Sequence, residues 1–149
     1  MALRFPLTVV KSITNTAATG TTNYDFFLPT DCDSVVVKLY TGVFTGTSPT
    51  LNVYVQTSDD AGTTWYDLVA FPQLVAAVTK QNANWATIGV ATGKTTCSVS
   101  GSSTLAAPLV APLPIMSKYM RVAVIIGGTQ VVNAGTEVRV YANSQSRAA

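Results

Sequence analysis

The 149-residue chain contains no histidine and few charged residues. Histidine is the commonest general base at neutral pH and a frequent zinc ligand, so its absence removes the Ser-His and Cys-His pairs of nucleophilic catalysis and most zinc sites. Only 11% of the residues are charged, whereas a typical soluble protein has about 25%. We therefore expect a neutral polar surface, which suits either packing into a large assembly or an ordinary soluble β-domain.

Charge of one sign is not concentrated anywhere in the chain. Nine basic and seven acidic residues give a net charge of +2, and the basic ones are scattered. Nucleic-acid-binding domains usually carry a basic stripe or patch, so no direct contact with DNA or RNA is expected. No apolar run approaches the roughly 18 residues of a membrane-spanning helix, and the first residues lack the apolar core of a signal peptide. The sequence predicts a soluble protein made in the cytoplasm, without a membrane partner.

The chain has only two cysteines, Cys32 and Cys97, which lie far apart and form no Cys-x-x-Cys motif. They are either a disulfide between two strands or two separate buried thiols. The second alternative is favoured, because cysteines outside disulfides are among the most buried residues.

The acidic residues do not form a convincing catalytic or metal-binding pattern. Asp59, Asp60 and Asp67 are candidates for the paired carboxylates of glycoside hydrolysis, and with Asp31 and Asp33 for calcium ligands. A turn role explains Asp60 better, and a calcium loop needs more oxygen ligands at short spacing. We therefore expect no catalytic residues, no cofactor and no metal.

The ordered-looking segments are rich in Val, Thr, Tyr and Phe and show no sustained helical period, which predicts an all-β protein. Residues 51–57 alternate between apolar and polar side chains, as in a strand with one buried face. Short strands of this kind predict one domain over residues 1–149, a two-sheet antiparallel β-sandwich of jelly-roll type with short terminal arms. The predicted strands are residues 7–13, 24–28, 34–43, 50–57, 64–71, 95–100, 119–126 and 137–143.

Two regions do not follow the strand pattern. Residues 72–93 have no clear hydrophobic period, which predicts either a long connecting segment or a short helix at 73–77. Residues 101–114 are rich in Ser, Ala and Pro, which predicts a long Pro-rich loop. The apolar residues of this loop and the two termini are candidate contacts with neighbouring subunits. Alternatively, the loop packs on its own domain and the termini are disordered tails. The candidate interface residues are Arg4, Phe5, Leu105, Leu109, Val110, Leu113, Ile115 and Arg147.

Residues 58–65, with the sequence SDDAGTTW, match the pattern Ser-x-Asp-x-Gly-x-Thr-Trp. This stretch resembles the Asp-box of sialidases and other secreted β-proteins, where it implies a folding element away from the catalytic site. Ser58, Asp60, Gly62 and Thr64 are expected to fix a hairpin turn, and Trp65 to anchor it in the core. A sialidase is not expected, because one box builds one hairpin and the four arginines are scattered.

The sequence around this hairpin resembles small structural proteins of tailed bacteriophages. The matching features are a Gly-Thr-Ser-Pro-Thr-Leu turn and strand at 46–51, the hairpin itself, and a strand at 119–122 followed by Gly-Gly-Thr at 127–129. Ala61 stands where the family often has Gly, and Met120 where Leu is usual. Residues 72–114 have no counterpart in the resemblance.

The resemblance implies a capsid cement or decoration protein without enzymatic activity, on the outside of the virion. Its expected partners are the major capsid protein and further copies of itself, with a trimer implied by the usual three-fold positions of such proteins. Two alternatives stay open. One is a phage tail or head-tail adaptor component, and the other is a carbohydrate-binding β-sandwich with Tyr54, Trp85 or Tyr141 stacking on sugar rings.

Overall fold

The computed structural model describes residues 8–29, 32–71, 73–75, 82–88, 98–99, 109–110 and 117–144, and these contain strands but no helix. Alternating side chains on Val- and Thr-rich segments explain this preference. The strands are β1 (Thr8–Asn15), β2 (Gly20–Phe27), β3 (Cys32–Thr41), β4 (Phe44–Ser58), β5 (Tyr66–Ala70), β6 (Asn82–Ile88), β7 (Ser98–Val99), β8 (Leu109–Val110), β9 (Tyr119–Asn133) and β10 (Thr136–Ser144).

The strands form two antiparallel sheets of five strands each. The first sheet has the order β1-β10-β3-β6-β7 and the second the order β2-β9-β4-β5-β8. Pairing is nested, since β1 pairs with β10, β2 with β9, β3 with β6 and β4 with β5. The predicted two-sheet antiparallel β-sandwich is confirmed.

Alternation along the strands places the core between the two sheets. In β4, Leu51, Val53 and Val55 are at most 1% exposed, while the intervening side chains are half-buried on the outer face. Val138 and Val140 of β10 are fully buried in the same way, as the alternation predicts. The buried apolar side chains belong to one continuous cluster. Each fully buried Val, Leu, Ile, Phe or Met side chain contributes about 1.5–3 kcal/mol on burial.

Several predicted boundaries are wrong. The strands β4 and β9 are each 15 residues long, because their ladder continues through register shifts beyond the apolar segments. Strand β6 lies within residues 72–93, for which no strand is predicted. In the same region but outside β6, Leu74 forms an isolated β-bridge with Leu51. The rest of the proposed helix, residues 76–77, lies outside the described residues.

A buried polar network closes one end of the sandwich. The Asn133 Nδ2 atom lies 3.0 Å from the Asn15 carbonyl oxygen and 3.2 Å from both Asn15 Oδ1 and the Ala17 carbonyl oxygen. Its Oδ1 accepts hydrogen bonds from the Gly135 amide and the Thr136 hydroxyl. This single side chain therefore joins the β1–β2 connection to the turn between β9 and β10.

Candidate functional site

The Asp-box forms the connection between β4 and β5. The Ser58 hydroxyl donates to Asp60 Oδ1 at 2.8 Å and accepts from the Gly62 amide at 2.7 Å. Asp60 Oδ1 also accepts from the Thr64 amide at 2.7 Å. Ala61 and Gly62 have φ of +57° and +93°, a region that favours glycine and is strained for alanine. Side-chain oxygens thus satisfy the turn amides and hold the backbone in this conformation.

Hydrogen bonding lowers the pKa of Asp60 from 3.8 to about 2. The largest cause is the Thr64 amide, followed by the hydroxyls of Thr64 and Ser58. Each donor favours the ionised carboxylate of the folded state. The resulting stabilisation is complete above the ordinary pKa and is lost as the pH falls from about 4 toward 2.

We predict that Asp60→Asn destabilises the protein at pH 7, and that the difference from wild type shrinks as the pH falls through this window. Urea unfolding of both proteins at pH 7, 4 and 2.5 measures this difference in the free energy of unfolding. Asp59→Asn, which removes a neighbouring exposed carboxylate, is the matched control. A difference between Asp60→Asn and wild type that does not change with pH would contradict the assigned role.

Trp65 does not enter the core, so the expectation of a core anchor is wrong. Its side chain is half-buried, lies outside the buried cluster, and donates a hydrogen bond from Nε1 to the Gly62 carbonyl oxygen at 2.9 Å. The indole therefore braces the turn from the outer face of the second sheet. This geometry gives the indole nitrogen a hydrogen-bond partner in the turn itself.

Trp65 belongs to a row of aromatic rings on that outer face. Its ring centroid lies 5.2 Å from that of Tyr119 on β9, at 43°. Tyr119 in turn stacks on Phe27 of β2, with centroids 4.8 Å apart and an angle of 23°. Gly62 also lies against Tyr119, because a Cβ at Gly62 would be 2.6 Å from Tyr119 Cε1. The Asp-box and the start of β9 are thus packed together.

A guanidinium and two polar side chains flank this row. The Arg121 guanidinium lies 4.1 Å from the Trp65 ring centroid, a cation–π contact. Arg121 Nε donates to Gln56 Oε1, and Gln56 Nε2 donates to Asp67 Oδ1 at 2.6 Å. These groups are fixed by each other before any ligand arrives.

The middle ring of the row is held by an acidic side chain. Tyr119 donates its hydroxyl hydrogen to Asp25 Oδ2 at 3.1 Å, and this hydrogen bond is the main reason that the pKa of Tyr119 is raised. We call Phe27, Trp65, Tyr119 and Arg121 the aromatic–arginine surface. An open cleft of about 410 Å³ adjoins it, lined by Phe27, Ala61, Ser117, Lys118 and Tyr119.

This surface is suited to binding a partner by shape, stacking and hydrogen bonding. Aromatic residues and arginine are the types enriched at the centres of protein interfaces. Among the described residues, no three His, Cys, Asp or Glu side chains come together as a metal site would require. Cys32 is buried, while Cys97 lies outside the described residues, so the choice of two separate thiols over a disulfide stays a prediction.

Sequence reasoning did not identify Phe27, Tyr119 or Arg121 as site residues. They lie on β2 and β9, far in sequence from the Asp-box, and only strand pairing brings them together. The available signal was the spacing of two in Asp25-x-Phe27 and Tyr119-x-Arg121, which puts each pair on one face of a strand.

Of the predicted interface residues, the structure places two. Leu109 and Val110 form β8, opposite Ala70 and Val69 of β5, so this part of the predicted loop is a strand of the second sheet. The others lie outside the described residues, namely Arg4, Phe5, Leu105, Leu113, Ile115 and Arg147.

The three aromatic residues considered for sugar binding do not share a surface. Tyr54 is half-buried on the outer face of the second sheet, whereas Tyr141 is half-buried on the outer face of the first. The centroid of the Tyr141 ring lies 5.3 Å from Lys38 Nζ. Trp85 lies on β6, with its backbone opposite Lys38. No single sugar-binding platform can therefore use both Tyr54 and Tyr141.

None of the described residues forms a helix long and apolar enough to cross a membrane. Comparisons with protein-family models, with curated proteins and with solved structures found no match to this chain.

Proposed function

We propose that this protein is a non-enzymatic structural component of a bacteriophage virion, which binds the outside of the major capsid lattice and associates with further copies of itself. One observation carries the proposal. The segments that resemble phage structural proteins are adjacent in the second sheet and together supply most of the aromatic–arginine surface. Trp65 comes from the Asp-box, and Tyr119 and Arg121 come from β9.

The chemistry of this surface supports a protein partner. Trp, Tyr and Arg are the residues that most often dominate binding energy at interfaces. Arg121 is already fixed between Trp65 and Gln56, so little side-chain entropy remains to be lost on binding. The low charge of the chain also means that few ions need be desolvated at each contact.

We further propose that the sandwich is a jelly roll. With the two-residue strands β7 and β8 set aside, eight strands pair from the outermost inward, as in an antiparallel ribbon wrapped into two sheets. Jelly rolls occur in viral capsid domains and also in lectins. The topology agrees with a capsid role, and the residues of the surface carry the functional proposal.

We predict that Arg121→Ala weakens binding to expanded capsids about 30-fold, the loss typical of an interface hot spot. Expanded capsids are assembled from the major capsid protein of the same genome, and binding is measured by co-sedimentation over a concentration series. Circular dichroism and thermal unfolding confirm that the variant is folded.

Arg139→Ala is the matched control. Arg139 lies on the outer face of the other sheet, where it pairs with Glu137 and lies 5.7 Å from the Tyr40 ring centroid. Its loss should leave capsid binding unchanged. Equal binding by the two variants would reject the aromatic–arginine surface as the capsid contact. Absence of wild-type binding, with labelled copies found on tails of intact particles, would instead favour the tail component.

A further inference from the structure

Each sheet of the sandwich ends in a long edge strand, β1 in one sheet and β2 in the other. Among the described residues, β1 pairs only with β10 and β2 only with β9. An edge strand presents unpaired N–H and C=O groups to which another strand can add, and natural proteins block such edges with lysine, proline or bulges.

The two edges differ in this protection. The register of β1 shifts between Val9 and Lys11, a bulge, and Lys11 lies on the same strand. In contrast β2 keeps an unbroken register with β9 from Gly20 to Phe27, and it contains no lysine, arginine or proline. Within the part of the chain that the structure describes, β2 is therefore the edge without these protections.

The backbone groups of β2 alternate between its partner and the open side. The Leu28 amide, next along the same register, donates to the Lys118 carbonyl oxygen at 2.9 Å. In an antiparallel pair every second residue is hydrogen-bonded to the neighbouring strand. The even-numbered residues of β2 thus bond to β9, and the odd-numbered ones, Thr21, Asn23, Asp25 and Phe27, direct their N–H and C=O groups to the free edge.

The aromatic row also ends at this edge. It runs from Trp65 through Tyr119 to Phe27, and Phe27 is 72% exposed although its ring is large and apolar. A side chain on an added strand would occupy the next position of the row. Aromatic rings paired with β-branched residues across strands stabilise such a contact.

We propose that β2 pairs antiparallel with β2 of a second copy of this chain, about a two-fold axis at Tyr24. Residues opposite each other in a sheet share a face, so odd residues must pair with odd ones. This register places Thr21 opposite Phe27 and Asn23 opposite Asp25 of the second copy. Each Phe27 then covers a threonine, and each carboxylate faces an amide that can donate to it.

Neighbouring registers are less favourable. Moving the axis to Asp25 sets two carboxylates directly opposite each other, which is destabilising. Moving it to Asn23 places that residue opposite itself and leaves Phe27 beyond the end of the second copy's strand. The axis at Tyr24 is the one that satisfies both the charged and the aromatic side chains.

This inference specifies the self-association part of the proposed function and does not depend on capsid binding. A two-fold contact closes after two copies. It therefore predicts a dimer as the building unit, in place of the trimer that the sequence resemblance implies.

The test is sedimentation equilibrium of the purified full chain at micromolar concentrations, with no capsid present. Wild type is expected to be a dimer. Asn23→Asp sets a second carboxylate opposite Asp25 and should raise the dimer dissociation constant about tenfold, while Asn23→Lys, which gives an opposite-charge pair, should not raise it. The double variant Asn23→Asp/Asp25→Asn exchanges the two groups and should restore wild-type affinity.

A monomeric wild type, or a trimer unaffected by Asn23→Asp, would overturn the proposal. Equal weakening by Asn23→Asp and Asn23→Lys, without rescue by the double variant, would overturn the register, because that pattern belongs to an axis at Asn23. Co-sedimentation with capsids is measured separately on the same proteins. A dimer that fails to bind capsids would refute the proposed function and leave the β2 contact standing.

Discussion

Replacing Asn133 with Asp is expected to lower the free energy of unfolding at pH 7 by about 3–4 kcal/mol, among the largest effects of any single substitution in this chain. The side chain is 9% exposed, and its Nδ2 atom faces the carbonyl oxygens of Asn15 and Ala17. Aspartate has nearly the same shape but no donor when ionised. The change therefore sets a negative charge against acceptors that have lost their partner.

The pH dependence of this effect has a definite sign. Burial beside carbonyl oxygens favours the neutral acid, so the new carboxyl should have a folded-state pKa above its unfolded value. The penalty relative to wild type is then largest at neutral pH and shrinks as the pH falls through the raised pKa. Urea unfolding at pH 7, 5 and 4 measures this trend.

Asn52→Asp is the control for this substitution. Asn52 is half-buried on the outer face of β4, and the same chemical change there should cost less than about 0.5 kcal/mol. Similar losses at both positions would show that Asn133 does not act through its buried hydrogen bonds. In that case the network would not be what ties the two turns together.

Replacing Gly128 with Ala should lower the free energy of unfolding by about 3 kcal/mol. The residue has φ of +107°, and an added Cβ would lie 2.7 Å from the Ser48 carbonyl oxygen and 3.0 Å from Pro49 Cα. Backbone strain and a clash with backbone atoms therefore add, because neither contact can be relieved by rotating a side chain. Thermal and urea unfolding measure the loss.

Substitution of Gly20 distinguishes the backbone strain from the steric clash. The φ of Gly20 is +104°, almost the same as that of Gly128, but nothing lies within 4 Å of an added Cβ. Gly20→Ala should therefore show the backbone strain alone, about 1 kcal/mol. If both substitutions cost the same, the close approach of β4 and β9 at Gly128 contributes nothing to the loss.

The sequence predicts the fold class because side-chain alternation is a local property. Leu51, Val53 and Val55 alternate with polar residues, and this pattern alone identifies a strand with one buried face. The sequence does not predict β6 because the polar–apolar alternation of residues 82–88 covers only the first four positions and breaks at Ala86. Its pairing with β3 is a long-range contact that no local pattern encodes.

The candidate site was less predictable than the fold. The Asp-box pattern correctly located a tight turn, yet the same pattern suggested that Trp65 is a core residue. A large aromatic side chain suits either a buried core or a stack on the surface. Trp65 lies on the surface because it contacts Tyr119 and Arg121, which are more than 50 positions away in the sequence. Only the register of β4 with β9 brings these residues to the hairpin.

The most direct test of the proposed function is electron cryomicroscopy of expanded capsids saturated with the purified protein. We predict density for a β-sandwich on the outside of the shell, with the outer face of the β2-β9-β4-β5-β8 sheet toward the lattice and the Arg121 side chain at the contact. Bare shells, or density in which the Arg139 face contacts the lattice while Arg121 faces solvent, would contradict it.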